Sequence, residues 1–298
     1  MDQGNYIEAE PLVLRALTIR EKTLGPNHPA VAQSLGTVGW LLKDKGNYAA
    51  AEPLLRQALA IEEKALGPDH VAVATALDDL GVLLMRQGNY IGAEPLVSRA
   101  LTIRKRVLGS DHPVVAQSLN NLGQLLTDKG DYATAESLLR QAIVIDRALG
   151  PDNLAITRPL NNLGLLLRKK GDYVAAELLY YRALAIRKKA LGPNHVDVAT
   201  VLSNLGLLLI YKGDYATAEP LLRQAIAIDE TALGSDHPDV ATALNNLGLL
   251  LKSKGDYAAA EPLYRRALAI DEKELGPAHP STLTIKKNLD SLPPKSRQ

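Results

Sequence analysis

The stretch HPDVATALNNLGLLLKSKGDYAAAEPLYRRALAIDEKELGPAH, residues 237–279, decides the fold of this chain. Its first half places Leu244, Leu247 and Leu251 at the spacings of one buried face of an α-helix. A Gly-Asp-Tyr turn follows, and its aspartate is a good N-cap for a second helix. That second helix should end at Gly276, because glycine after the last apolar residue is a signal for a helix C-terminus. The stretch therefore predicts two helices joined by a tight turn.

The same pattern recurs along the whole chain. The turn begins at Gly4, Gly46, Gly88, Gly130, Gly171, Gly213 and Gly255. Five of the intervals are 42 residues and one is 41. A single helix pair cannot bury its own apolar face, so neighbouring pairs must stack on one another. We therefore predict an all-α fold in one repeat domain, 1–298, with a lone second helix at 5–25, six helix pairs over 29–279, a capping helix at 280–292 and a tail at 293–298.

A further glycine lies inside the first helix of each repeat, as Gly248 does here. Glycine within a helix costs roughly 1 kcal/mol relative to alanine. Its regular recurrence predicts a close approach to the second helix. The expected contact is the alanine that recurs in the second helix, Ala260 in this repeat.

Composition and charge argue against several classes of partner. The chain has 34 basic and 33 acidic side chains and a net charge of +1, without the basic surplus typical of nucleic-acid binding. It has no cysteine, so disulfides and thiolate metal sites are excluded. No apolar run approaches the roughly 18 residues that span a bilayer. We therefore predict a cytoplasmic protein with neither nucleic-acid nor membrane partners.

All six histidines occupy one position of the repeat, the linker before the first helix. They are His28, His70, His112, His195, His237 and His279. Packed helices lie about 8 to 10 Å apart, whereas zinc ligands lie about 2 Å from one metal. We therefore expect the histidines to shape the linker and not to bind a metal. A catalytic constellation would not be copied in every repeat, so neither an enzyme nor a cofactor is predicted.

The residues of the quoted stretch resemble the tetratricopeptide repeat. Its spacing is reproduced by Leu244, Leu247, Gly248, Leu251, Gly255, Tyr257, Ala260, Tyr264 and Ala267. The extension to 42 residues, with Leu-Gly-Pro-Ala-His-Pro at 275–280, resembles the repeats of kinesin light chains. The resemblance implies a right-handed superhelical solenoid of antiparallel helix pairs. It also implies a protein–protein interaction scaffold that binds an extended peptide segment of a partner in its concave groove.

Two other functions are kept beside the scaffold. The chain could be a structural or self-assembling solenoid element, or a regulatory fragment of a larger signalling protein. Because it opens in the middle of a repeat, an apolar flank of its first helix should be uncovered. We therefore expect a possible homo-oligomer through this N-terminal helix.

The resemblance places a polar pair of the first helices, such as Asn120-Asn121, on the concave groove. These amides could bond the backbone of an extended peptide, or they could bond one another as a structural ladder, and both remain open. Positions that differ between repeats should set specificity, with Trp40, Met85 and Tyr211 as candidate anchors. For Trp40 a place in the core remains the alternative. The predicted groove contains Trp40, Asp78, Asp79, Met85, Gln117, Asn120, Asn121, Gln124, Arg158, Asn161, Asn162, Leu165, Asn204, Leu207, Tyr211, Asn245 and Asn246.

One class of ligand is not expected. Tetratricopeptide domains that grip a terminal carboxylate place Lys and Arg at groove positions, and here only Arg158 is basic among the matching positions. The repeat over 130–170 is irregular, since it is one residue short, has Asn153 in place of histidine and carries Pro159. We expect a local change in solenoid twist there.

Overall fold

The computed structural model describes residues 6–293, and the side chains of residues 11–293. This part of the chain forms fourteen α-helices and one short 3-10 helix, without a β-strand. The helices are α1 Tyr6–Leu24, α2 Pro29–Asp44, α3 Tyr48–Leu66, α4 Val71–Arg86, α5 Tyr90–Leu108, α6 Pro113–Lys129, α7 Tyr132–Ala148, α8 Thr157–Lys170, α9 Tyr173–Leu191, α10 Val196–Lys212, α11 Tyr215–Leu233, α12 Pro238–Ser253, α13 Tyr257–Glu274 and α14 Pro280–Asp290. The 3-10 helix is Leu154–Ile156. The predicted all-α fold of helix pairs is confirmed.

The helices from α2 to α13 form six repeats, each of a first and a second helix packed together. The chain divides into two compact units, of which one ends at Pro151 and the other begins at Asp152. The N-terminal unit holds repeats 1 to 3, and the C-terminal unit holds repeats 4 to 6 and α14. The single repeat domain over the whole chain stays a prediction.

The histidines start the first helices. In each case Nδ1 of the imidazole accepts a hydrogen bond from the backbone N–H two residues later, as from Ala30 to His28 at 3.1 Å. The other five accept in the same way at 3.1 to 3.2 Å. This bond satisfies one of the backbone donors that a helix N-terminus leaves without an intrahelical partner. The structural role expected for the histidines is confirmed.

The inner glycines allow the two helices of a repeat to approach closely. A Cβ at Gly39 would lie 2.8 Å from two side-chain atoms of Leu55, and 3.5 Å from the carbonyl oxygen of Ala51. In repeat 6, a Cβ at Gly248 would lie 2.8 Å from the ring of Tyr264. The predicted close approach is confirmed, and in repeat 1 the recurrent alanine takes part in it through its carbonyl oxygen. The large side chain four residues after the alanine fills the space above the glycine.

In the irregular repeat the N-cap residue is an asparagine and not a histidine. Asn153 replaces histidine, and its Oδ1 accepts from the N–H of Ala155 at 2.9 Å. The 3-10 helix follows, and α8 begins only at Thr157. Pro159 therefore lies in the first turn of α8, where a helix tolerates a residue without an N–H. The expected change in twist between repeats stays a prediction.

The core of each repeat is made of aliphatic side chains from both of its helices. In repeat 1, Val31 and Leu35 pack against Ala58 and Ile61. In α14, Ile285 is buried against repeat 6 while Lys286 is exposed. Each buried leucine or isoleucine contributes roughly 1.5–3 kcal/mol. This core, which recurs along the chain, holds the two helices of each repeat together and leaves their other faces at the surface.

Candidate functional site

One face of the first helices differs between repeats, and we call it the variable face. In repeat 5 it consists of Thr200, Asn204, Leu207 and Tyr211, at the spacing of one helical face. The corresponding positions of the other repeats hold the predicted groove residues Gln117 and Arg158, which are exposed, and Trp40, Gln124 and Leu165, which are half-buried. In each of the two units the variable face thus combines polar and apolar side chains.

Tyr211 is the largest exposed side chain on this face. It is 53% exposed, and its ring stacks on that of Tyr173 with centroids 6.2 Å apart. The guanidinium carbon of Arg168 lies 5.3 Å from the centroid of the Tyr211 ring. Both contacts hold the tyrosine in place and leave part of its surface open to solvent.

The polar pairs of the C-terminal unit form a structural ladder. The amide of Asn204 donates to Oδ1 of Asn161 at 3.0 Å, and that of Asn246 donates to Oγ of Ser203 at 3.0 Å. In each case the second residue of a pair donates to the first residue of the preceding pair. The sequence left open whether these amides bind a peptide or bond one another, and in the structure they bond one another.

The ladder ends on the capping helix. There Asn288 of α14 donates its amide to Oδ1 of Asn245 at 2.8 Å. In repeat 3, the amide of Asn120 contacts Oδ1 of its neighbour Asn121 at 3.4 Å, and Asn161 contacts Asn162 in the same way. These side chains already bond within the protein.

Several predicted groove residues are buried. Met85 is only 9% exposed, so it presents little surface to a ligand and does not act as an exposed anchor. Asp78, Asn120, Asn161 and Asn246 are also buried. We therefore restrict the candidate site to members of the variable face with accessible side chains.

A second series of residues was missed from the sequence. Each second helix carries a charged residue directly after an isoleucine, at Arg20, Glu62, Arg104, Asp146, Arg187, Asp229 and Asp271. The last six of these are buried. Their spacing follows the 42-residue period, so the recurrence of isoleucine plus a charge was the signal that could have revealed them. At this position the sign of the charge differs between repeats.

The arginines of this series are bound by polar groups of the neighbouring first helices. Arg20 donates to Oγ of Ser34 at 2.9 Å. Arg187 donates to Oγ1 of Thr157 at 3.0 Å and to the carbonyl oxygen of Asp197 at 2.5 Å. Burying a guanidinium is favourable only when its donors are satisfied, and these contacts meet that condition.

Arg104 contacts three side chains through its terminal nitrogens, while its buried Nε has no hydrogen-bond partner. It forms a short ion pair with Asp78, and it donates to Oγ of Ser118 at 2.6 Å and to Oγ1 of Thr75 at 3.2 Å. Burial raises the pKa of the Asp78 carboxyl, and the charge of Arg104 opposes that rise. The structure thus contains one well-defined guanidinium site between neighbouring repeats.

The acidic members form no ion pair with a lysine or an arginine among the described residues. Burial raises the pKa of Asp229 to about 8, and the negative charge of Asp239 adds to the rise. Burial likewise raises the pKa of Asp146 to about 6. Glu62 is buried with Oε2 lacking a hydrogen-bond partner, and burial followed by the charge of Asp79 raises its pKa. These carboxyl groups are costly to ionise without a nearby cation.

Glu62 lines a cavity of about 420 Å³ in the N-terminal unit. The cavity lies between α2, α3 and α4, and its wall also includes Trp40 and Asp79. Burial raises the pKa of Asp79 to about 6, with the ammonium group of Lys43 opposing the rise. The cavity combines two carboxylates with an indole ring, and Trp40 and Asp79 were predicted groove residues.

Other kinds of site find no support in the part of the chain that the structure describes. Within residues 6–293, no group of three His, Asp or Glu side chains could hold a metal ion. None of the described helices is both long and apolar enough to cross a membrane.

Comparison with known proteins agrees with this architecture. A comparison with the curated proteins gave no match. Among solved structures, BtubC (BKLC) from P. vanneervenii is similar with a TM-score of 0.55 and 24% identity over 78% of this chain and 92% of that one. The Rap protein complexed with Competence and Sporulation Factor is similar with a TM-score of 0.59 and 17% identity, over 96% and 87%. PilW, a type IV pilus biogenesis factor, gives 0.52 and 16%, over 86% and 98%. At these identities the likeness concerns the fold alone.

The family model of the tetratricopeptide repeat matches residues 1–64, 42–84, 73–148, 155–231, 197–273 and 239–289. These matches cover most of the chain, and the repeats have the 42-residue period that the sequence shows. The chain therefore belongs to the tetratricopeptide repeat family.

Proposed function

We propose that this chain is an interaction scaffold, not an enzyme, and that its variable face binds an extended peptide segment of a partner protein. The observation that carries the proposal is the accessible, repeat-specific set of side chains on an otherwise strictly repeated framework. Gln117 and Arg158 are exposed there, and Tyr211 offers an aromatic surface. Aromatic side chains and arginine are the residue types enriched in interfaces.

The asparagine ladder changes which residues should be tested. Asn246 is buried and donates to Ser203, so its replacement by alanine would test the stability of the framework. Tyr211 is a better probe, because its exposed ring can be removed without opening a cavity in the core. Tyr181, on the second helix α9, is 45% exposed and lies outside the variable face. Tyr181→Ala is therefore a matched control.

The experiment selects random peptides on the full chain by phage display and measures their affinity by fluorescence polarisation. We expect Tyr211→Ala to weaken the selected peptides about tenfold, which corresponds to about 1.4 kcal/mol. Tyr181→Ala should bind as tightly as the unmodified chain. Failure to select any peptide, or equal losses in the two variants, would contradict the proposal.

Self-association through α1 is a second candidate, and a specific observation favours it. Leu12, Leu14 and Ile19 of α1 are 67%, 43% and 51% exposed, and exposed apolar side chains on one element are typical of interaction surfaces. Sedimentation at increasing concentration should then show dimers that Leu12→Glu abolishes. A monomer at every concentration would exclude this candidate.

A further inference from the structure

The cavity beside Glu62 exists because two residues of the repeat are replaced by smaller ones. Gly36 stands where repeats 2 and 3 have Asp78 and Asn120. Ala76 stands where repeat 3 has Ser118. Gly36 and Ala76 both line the cavity. The side chains that would fill this space and bond the charged residue of the second helix are absent.

The next repeat shows what the filled arrangement looks like. There Arg104 occupies the position of Glu62, and its guanidinium is held by Asp78, Ser118 and Thr75. In the cavity the charge is reversed, since the second helix supplies a carboxylate. The space in which the paired side chain would lie is open. A guanidinium group supplied by a ligand would form the same kind of ion pair. The carboxylate would then lie on the second helix, and the guanidinium would take the place of Asp78.

The unsatisfied state of Glu62 points to such a ligand. The residue is only 7% exposed, and its Oε2 has no hydrogen-bond partner. A buried carboxylate oxygen without a donor is costly. A charge-assisted, bidentate contact from arginine is among the strongest ways to satisfy it.

The indole ring of Trp40 suits a planar cation. Trp40 is half-buried and lines the cavity, and an indole ring is the best aromatic partner for a cation. The ammonium group of Lys43 lies 5.2 Å from the centroid of this ring. Asp79 supplies a second carboxylate to the same cavity. Thr37 on the wall adds a hydroxyl oxygen that can accept a further hydrogen bond.

We propose that this cavity binds the guanidinium group of an arginine in the partner's extended segment, held by Glu62 and Asp79 and stacked on Trp40. The inference rests on the proposed function and specifies the chemistry of the partner. An arginine fits better than a lysine, because a planar fork of donors can engage a carboxylate with two bonds and stack on a ring.

Trp40 makes a direct test possible, because it is the only tryptophan of the chain. The probe is the pentapeptide acetyl-Ala-Ala-Arg-Ala-Ala-amide, titrated to millimolar concentration while Trp40 fluorescence is recorded. Its counterpart carries citrulline, which has the shape of arginine without the charge. We expect a saturable change with the arginine peptide and at least about tenfold weaker binding of the citrulline peptide, since charge-assisted hydrogen bonds are about twice as strong as neutral ones.

Two variants locate the binding in the cavity. Glu62→Gln should weaken the arginine peptide at least about tenfold, whereas Asp111→Asn, an equal charge change at an exposed linker position, should leave it unchanged. Gly36→Asn introduces the residue found in repeat 3. A Cβ at Gly36 meets nothing within 4 Å, so this variant should fold normally and lose binding because the cavity is filled.

Three outcomes would overturn the inference: no saturation by the arginine peptide, equal binding of the citrulline peptide, or undiminished binding by both Glu62→Gln and a folded Gly36→Asn. Free arginine binding as tightly as the pentapeptide would overturn the assignment to a partner segment. The phage selection separates this failure from that of the proposed function. Selected peptides that lack arginine yet depend on Tyr211 would remove the cavity inference and leave the scaffold function standing.

Discussion

Gly36 and Gly39 lie three residues apart in α2, and we predict that the same substitution, glycine to alanine, has opposite effects at the two positions. Both have helical backbone angles, so alanine is sterically allowed by the backbone at each. The surroundings differ. A Cβ at Gly36 meets nothing within 4 Å, whereas a Cβ at Gly39 lies 2.8 Å from Cγ and Cδ2 of Leu55. Leu55 is buried with 1% of its surface exposed.

The magnitudes follow from these distances. Alanine in a helix interior is favoured over glycine by about 1 kcal/mol, and this gain applies to both variants. Gly36→Ala should therefore stabilise the N-terminal unit by about 0.5–1 kcal/mol. At Gly39 the methyl group displaces a buried leucine, and overpacking of this kind costs about 1–3 kcal/mol. The net effect of Gly39→Ala is a destabilisation of about 1 kcal/mol, and the two variants should differ by about 2 kcal/mol.

The assay is urea denaturation of the full chain, followed by Trp40 fluorescence and by far-ultraviolet circular dichroism. Repeat proteins can lose two-state behaviour, and Trp40 reports on repeat 1 directly. The midpoint should rise for Gly36→Ala and fall for Gly39→Ala. Equal shifts in the same direction would refute the argument, because they would mean that Leu55 moves without cost and that glycine is not required for close packing of the pair.

Two further predictions concern the buried charges. Arg104→Ala leaves Asp78 buried without its cation and should destabilise the chain by about 3–5 kcal/mol in urea denaturation. The exposed pair of Arg56 with Glu52 is the control, since Arg56→Ala should cost no more than about 0.5 kcal/mol. The raised pKa of Asp229, about 8 against an ordinary 3.8, means that the folded state keeps a proton that the unfolded state releases. Stability should therefore fall as the pH rises from 4 to 8, by up to about 1.4 kcal/mol per pH unit, and thermal denaturation of Asp229→Asn should lack this part of the pH dependence; an identical pH profile in the variant would contradict it.

The features that depend on local chemistry were predictable from the sequence. The histidine that caps a helix and the glycine that ends one both act on residues that are close to them in the sequence. The boundaries of the helix pairs and the structural role of His28 follow from such contacts. Pro159 shows the limit of this approach, because its place in the first turn depends on where α8 begins.

The candidate site was harder to predict because its contacts connect different repeats. The bond from Asn204 to Asn161 spans 43 residues, so the sequence alone left two interpretations of the pair open. The cavity beside Glu62 could not be predicted, because it depends on Gly36 and Ala76 being too small to fill it. A missing side chain becomes visible only when the neighbouring helices are placed together.

The asparagine ladder gives the repeats a direction, and this has a consequence for how such a chain can change in length. In the C-terminal unit every rung has its donor on the later repeat and its acceptor on the earlier one. A complete 42-residue segment that is duplicated or deleted before α14 brings one donor and one acceptor with it, and so leaves every remaining rung matched. The number of repeats can therefore change by whole repeats, which would lengthen the proposed binding face without redesigning a junction.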